Sequence, residues 1–150
     1  MSVLVLAALA LAQEAATEPQ IDGPLEWAME RAPHGIDITL DGKLWINSNK
    51  VGAKDDYAIL ATDLHRAVTS KSIKPRLWVR GYHRRNPSVN YRESKLLVVI
   101  DCTRDTLRIE KRIAYSADGG IVETGGPYRS DPIVPGTNGE AWRKMACSWQ

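Results

Sequence analysis

Apolar and polar residues alternate along much of the chain, and the alternation predicts short strands in series. Ile36-Asp-Ile-Thr-Leu40 alternates, Asp41-Gly42 makes a hairpin turn, and Leu44-Trp45-Ile46 follows. Tyr57 to Ala61 is a short apolar run, and Asp63 to Val68 has the pattern of one helical turn. In Arg76 to Tyr82, Trp78, Arg80 and Tyr82 face one way and Leu77 and Val79 the other. Arg84 to Val89, with Pro87 inside, is a polar loop. Leu96-Leu-Val-Val-Ile100 is the β-branched run of a central strand. In the next strand Leu107, Ile109, Ile113 and Tyr115 share a face, interrupted by Lys111, with Arg108, Glu110 and Arg112 on the other. Asp118-Gly119-Gly120 turns into Ile121-Val122, so segments 94–102, 106–116 and 120–124 read as an antiparallel meander.

Near the C-terminus the period changes. Pro135-Gly136-Thr137 precedes a helix, and Thr137-x-x-Glu140 fits a capping box. Trp142, Met145, Ala146 and Trp149 fall on one helical face, the pattern of core packing against a sheet. Cys147 lies off that face, so a disulfide from it calls for a bend or a frayed last turn. The predicted class is α+β: an antiparallel sheet of five to six strands packed by one C-terminal α-helix.

The first residues, MSVLVLAALALA, are uncharged and end in Ala10-Leu11-Ala12, the spacing of a signal-peptidase site. Residues 1–12 are therefore expected to be a signal peptide, although no Lys or Arg precedes the apolar run; a buried terminal helix or strand is the alternative. Residues 13–43 hold Pro19, Pro24 and Pro33 and read as an arm of low regular structure, with a short helix over Leu25 to Arg31. Export changes how the two cysteines read. Cys102 and Cys147, an even number in an oxidising compartment, are expected to pair, with a metal site or a catalytic thiol as alternatives.

Composition adds bounds rather than chemistry. With 150 residues, 43% hydrophobic and 25% charged, the chain is expected to form one globular domain. It has no Phe; five Trp and five Tyr supply the large side chains. No apolar run reaches the ~20 residues of a membrane-spanning helix. Charge is more informative. Residues 13–63 hold 10 acidic and 4 basic groups, whereas residues 64–92 hold 8 basic groups and no acid. Arg76, Arg80, Tyr82, Arg84, Arg85, Tyr91 and Arg92 mix cations with aromatics, a mixture that suits an anionic polymer such as a sulfated glycan. The alternative is a solvated face balanced by the acidic arm.

Catalytic patterns are scarce. His34, His65 and His83 lack metal-ligand spacing, and Asp55-Asp56 reads as a turn before a strand. Gly119-Gly120 and Gly125-Gly126 read as hairpin loops, and no nucleophile elbow is present. No catalytic, metal or cofactor residue is nominated.

The order of elements is itself distinctive. Leu44-Trp45-Ile46 and Asp56 to Leu60 come first, then Arg76-Leu-Trp-Val79, then Ser94 to Cys102. Leu107 to Tyr115 and the Asp118-Gly119 turn follow, then Val134-Pro-Gly-Thr-x-Gly-Glu140 and a helix with Cys147. This order resembles the bacterial surface-adhesin E family of small exported proteins, over residues 44–147. The resemblance implies a compact antiparallel sheet packed by the C-terminal helix, with Cys102 joined to Cys147. It also implies a domain over 44–150, a location in the periplasm or at the cell surface, and a non-enzymatic binding role. The partner expected is an envelope or extracellular protein or an anionic glycan, with nucleic acid disfavoured by export, and a homodimer through a sheet edge is a further expectation. The second reading is a periplasmic enzyme or enzyme accessory that uses a histidine such as His83 beside the arginines.

Overall fold

The structure, a computed structural model, describes residue 35 and residues 37–48 and 54–148. The expected signal peptide, the short helix at 25–31, His34 and Trp149 lie outside the described residues. One sheet dominates. Its strands run in sequence order: β1 (Asp37–Leu40), β2 (Lys43–Asn47), β3 (Asp56–Leu60), β4 (Arg76–Tyr82), β5 (Glu93–Asp101), β6 (Thr106–Tyr115) and β7 (Ile121–Gly125). All neighbours are antiparallel, and a two-residue strand, β8 (Asp131–Pro132), pairs with β6 beyond the end of β7. Helix α1 (Ala61–Ser70) links β3 to β4, and α2 (Asn138–Cys147) follows β8.

The α+β class and the meander stand, with eight strands among the described residues in place of the expected five to six and two helices among them in place of one. The additional strands are edge pieces. β1 joins because Asp41 and Gly42 both take positive φ, 51° and 67°, the conformation a tight hairpin turn needs. β8 contains Pro132, which has no N–H to donate and is tolerated only at an edge. The single helical turn expected at Asp63–Val68 is a ten-residue helix. Leu64 and Ala67 are buried and Val68 packs beside them, a stripe too narrow to stand out among polar neighbours.

Both helices pack on one face of the sheet. That helix face carries Ile59, Leu77, Val79, Leu96, Val98 and Ile100, closed by Leu64, Ala67, Trp142 and Ala146. The disulfide joins Cys102, just past β5, to Cys147 with Cα atoms 5.9 Å apart. No bend is required: α2 stays helical through Cys147, and its end meets the end of β5. The other face carries a smaller cluster of Leu40, Trp45, Ala58 and Tyr82 under the first hairpin, and is half-exposed elsewhere.

Two local expectations change. The register skips Glu110, pairing Leu97 with Lys111 but Val98 with Ile109. This β-bulge shifts the parity of everything after it. Leu107 and Ile109 stay on the helix face, while Ile113 and Tyr115 move to the other and pair with Lys95 and Glu93. At the start of α2, the Thr137 hydroxyl donates to Val134 O, and Glu140 accepts from the N–H of Gly136, so the reciprocal capping box does not form.

Candidate functional site

The basic segment is divided by the fold. Arg80 is 5% exposed: its Nε and Nη2 donate to Glu93 at 2.8 and 3.2 Å, and its Nη1 to Asp41 at 2.6 Å. Burial alone would lower its pKa, but the bond to Glu93 and the nearby Tyr82 and Asp41 outweigh it and hold the guanidinium charged. Tyr82 is buried in the smaller cluster, with Arg80 5.3 Å from its ring centre. Arg76 is exposed and shares Glu110 with Arg108. Arg85 donates to the buried Asp56 at 2.6 Å, Arg92 donates to the carbonyls of Val89 and Tyr91, and Arg84 lies exposed in the connecting loop. Tyr91 packs edge-on against His83 and carries Arg112 4.9 Å over its ring. Arg80, Tyr82 and Arg85 are thus committed to buried partners, Arg76, Tyr91 and Arg92 to neighbouring groups at the surface, and the seven do not gather on one surface.

The helix face holds a polar chain that no spacing announced. His83 follows β4 directly and is 3% exposed. Its Nδ1 lies 2.8 Å from Asp55 Oδ1, and its Nε2 lies 2.7 Å from Ser94 Oγ. A carboxylate only accepts, so Nδ1 carries the proton. Burial holds the His83 pKa below its ordinary value, only partly offset by Asp55, so the ring is neutral and Nε2 accepts from the Ser94 hydroxyl. Tyr57 packs edge-on against both His83 and Trp142; burial, then Asp55, pushes its pKa well up. Asn86 Nδ2 donates to Asp55, and His83 N donates to Arg92 O, which anchors the loop between β4 and β5.

The order carboxylate, imidazole, hydroxyl is that of a hydrolase triad, but the site is closed. Ser94 is 2% exposed and lies in β5 between β4 and β6. Opposite it, a Cβ built on Gly81 would meet Tyr57 Cε1 at 2.6 Å and Ser94 Oγ at 2.9 Å, so no volume is left beside the nucleophile. The chain fastens a loop to the sheet. Among the described residues no group of three or more His, Cys, Asp or Glu is placed to hold a metal. His65 is exposed on α1.

The sheet face away from the helices is the accessible one. Trp78, Lys95, Leu97, Val99, Ile113 and Tyr115 are half-exposed there. Two depressions interrupt it. One, about 210 Å³, is lined by Asp41, Lys43, Trp45, Leu60, Trp78, Arg80 and Lys95. The second, about 220 Å³, places Lys74, Arg104 and Arg108 around Val99, Asp101, Thr106 and Ser130. Sequence reading missed both, because they join residues of distant strands; half-exposed Trp78 amid cations was the available signal. At the far edge, Ile121 and Val122 of β7 are exposed. Among the described residues no helix is long and apolar enough to cross a membrane. No family model, curated protein or solved structure matches the chain.

Proposed function

We propose that this protein is a non-enzymatic binding module of the cell envelope that holds its partner on the open face of the sheet. One observation carries the reading: that face presents half-exposed Trp78, Leu97, Val99, Ile113 and Tyr115 beside Lys95, and both depressions hold more cations than carboxylates. Apolar platforms ringed by cations suit an anionic glycan or an acidic protein surface. The disulfide and the resemblance to surface-adhesin E proteins support an exported location. Edge strand β7, with Ile121 and Val122 exposed, offers a pairing edge for a second copy. The test is retention on immobilised heparin near 0.1 M salt, where the Debye length is ~10 Å. Wild type should be retained over a neutral dextran support, and Lys95→Glu with Lys111→Glu should elute earlier. Equal elution from the two supports, or no effect of the pair, removes the glycan form of the reading. Capture of an acidic protein, lost in the same double variant, would keep the face as the binding surface.

A second reading, an envelope hydrolase, is favoured by the Asp55–His83–Ser94 chain alone. A fluorophosphonate probe decides it. Labelling that disappears in Ser94→Ala supports a nucleophile; an unlabelled wild type, as closure of the site implies, leaves the chain as an anchor.

A further inference from the structure

The depression over Trp78 has a composition unlike the rest of the surface. Its walls mix a half-exposed indole, a hydrogen-bond acceptor and ammonium donors. Asp41 accepts from Arg80 and is otherwise largely open, with its side chain 66% exposed. Lys43 is exposed and has no carboxylate partner among the described residues. Lys95 lies 3.9 Å from Glu93, a carboxylate already engaged by Arg80, and 5.2 Å over the Tyr115 ring. The floor supplies a further observation. Trp45 is 6% exposed, and its indole N–H has no acceptor among the described residues.

Resting on the binding-module reading, we propose that this depression is a subsite for one acidic sugar residue of a polysaccharide chain. The indole of Trp78 stacks on the ring, and Lys43 and Lys95 take its carboxylate or sulfate. A pyranose has an apolar C–H face and a rim of hydroxyls, which matches an aromatic plane bordered by a carboxylate and ammonium groups. The volume of about 210 Å³ equals the liquid volume of roughly seven waters, room for one ring and too small for a drug-sized ligand. The sign of the charge favours an acidic sugar: Arg80 is taken up by Glu93 and Asp41, and Lys43 and Lys95 are the cations left to meet a ligand. In the second depression, on the same face, Lys74 is paired with Asp101 and Arg108 with Glu110, so Arg104 is the cation left to extend the track for the rest of the chain. Arg104 has no carboxylate partner among the described residues.

The test uses calorimetric titration of the full chain with three probes: a heparin-derived hexasaccharide, a hyaluronan-derived hexasaccharide and a neutral dextrin of equal length. Wild type should bind the acidic probes and not the dextrin. Binding of both acidic probes assigns the carboxylate, and binding of the heparin probe alone assigns the sulfate. Trp78→Ala and Lys43→Ala should each raise Kd about tenfold, the weight of one good contact, while Trp78→Phe retains most of the affinity. Lys43 is exposed, so its variant keeps the test sound if Trp78→Ala folds poorly. Unchanged affinity in Trp78→Ala and Lys43→Ala, with loss in Lys74→Ala and Arg104→Ala, overturns the subsite and leaves the binding face standing. Equal binding of dextrin overturns the acidic specificity. Wild type that ignores all three probes overturns the subsite as well; if it still captures a protein partner through the open face, the broader reading survives.

Discussion

On the helix face, β5 presents Ser94, Leu96, Val98 and Ile100, all buried; on the other face the same strand presents Glu93, Lys95, Leu97 and Val99, all half-exposed. The difference comes from what lies above each row. Leu64 and Ala67 of α1 and Trp142 and Ala146 of α2 close the first row, and the disulfide fixes the end of α2 to the end of β5. Among the described residues no helix lies over the second. One face therefore carries stability and the other is free to carry recognition. Each face also carries its own polar cluster. The Asp55–His83–Ser94 chain on the helix face has every ring nitrogen partnered and no room for a ligand. The depression beside Trp78 is open to solvent and keeps Lys43 and Lys95 at its rim.

If the division holds, substitutions on the helix face should cost stability and leave binding intact. The largest effect is expected from Cys102→Ser with Cys147→Ser. The residues are 45 apart in sequence, and opening a loop of that size costs about 4 kcal/mol in the chain-entropy account. Calorimetric melting should show a drop of roughly 10 °C or more. Trp142→Ala comes close behind, at about 3–5 kcal/mol, because it opens the core and strips Ser48 Oγ of an indole donor at 2.9 Å. Gly81→Ala is a sharper probe. Its methyl group collides with Tyr57 and Ser94, so overpacking of about 1–3 kcal/mol is expected. Stability equal to wild type in urea titrations would show that the polar chain has slack. Arg85→Ala is expected to cost about 1–2 kcal/mol, although the side chain is partly exposed, since it removes a charged partner of buried Asp56. Arg85 is thus a stability residue, not a free cation of a binding loop.

A smaller effect separates by pH. The pKa of His83 is held below its ordinary value in the folded state, chiefly by burial. Between that lowered value and the unfolded value near 6.5, the unfolded chain binds more protons. Stability is therefore full above about pH 6.5, falls as pH drops through that value, and levels off below the folded-state pKa. His83→Gln keeps hydrogen-bonding capacity without titrating. Urea midpoints followed across this window should decline for wild type and lose that component in the variant. Parallel curves would mean that His83 does not experience the closed environment its contacts describe.

How much of this was legible beforehand depends on distance along the chain. The β5 run Leu96–Ile100 and the α2 stripe were readable because each pattern is local. The bulge at Glu110 was not, since the odd-numbered positions from Leu107 to Tyr115 look continuous until a partner strand sets the register. Asp55, His83 and Ser94 are separated by 28 and 11 positions, and nothing local ties them together. They meet because β3, β4 and β5 are antiparallel neighbours, which brings the start of β3, the end of β4 and the start of β5 together at one end of the strands. Strand order was the missing fact. The cationic segment shows the converse. Eight positive charges in a row of 29 positions read as a patch in one dimension, yet Glu93 and Asp41 take up Arg80 and the loop turned Arg85 onto Asp56.

The smallest stability effect belongs to the open face, where it matters most for the comparison. Val99 is half-exposed in the wall of the second depression, paired with Arg76 on β4 and Arg108 on β6. Val99→Thr keeps the β-branched shape that suits a strand and replaces one methyl with a hydroxyl. No closed core surrounds that methyl, so the change in stability should stay within about 0.5 kcal/mol. The same substitution at Val98, one residue away and fully buried, would place a hydroxyl among Leu77, Ile100 and Ala146, where an unpaired polar group costs about 1–3 kcal/mol. Measured side by side in urea, the two variants differ in face and in almost nothing else. A gap of at least ~1 kcal/mol supports one sealed face and one accessible face. Equal losses would mean that Val99 is also covered in solution, and the sheet would then have no face left for a partner.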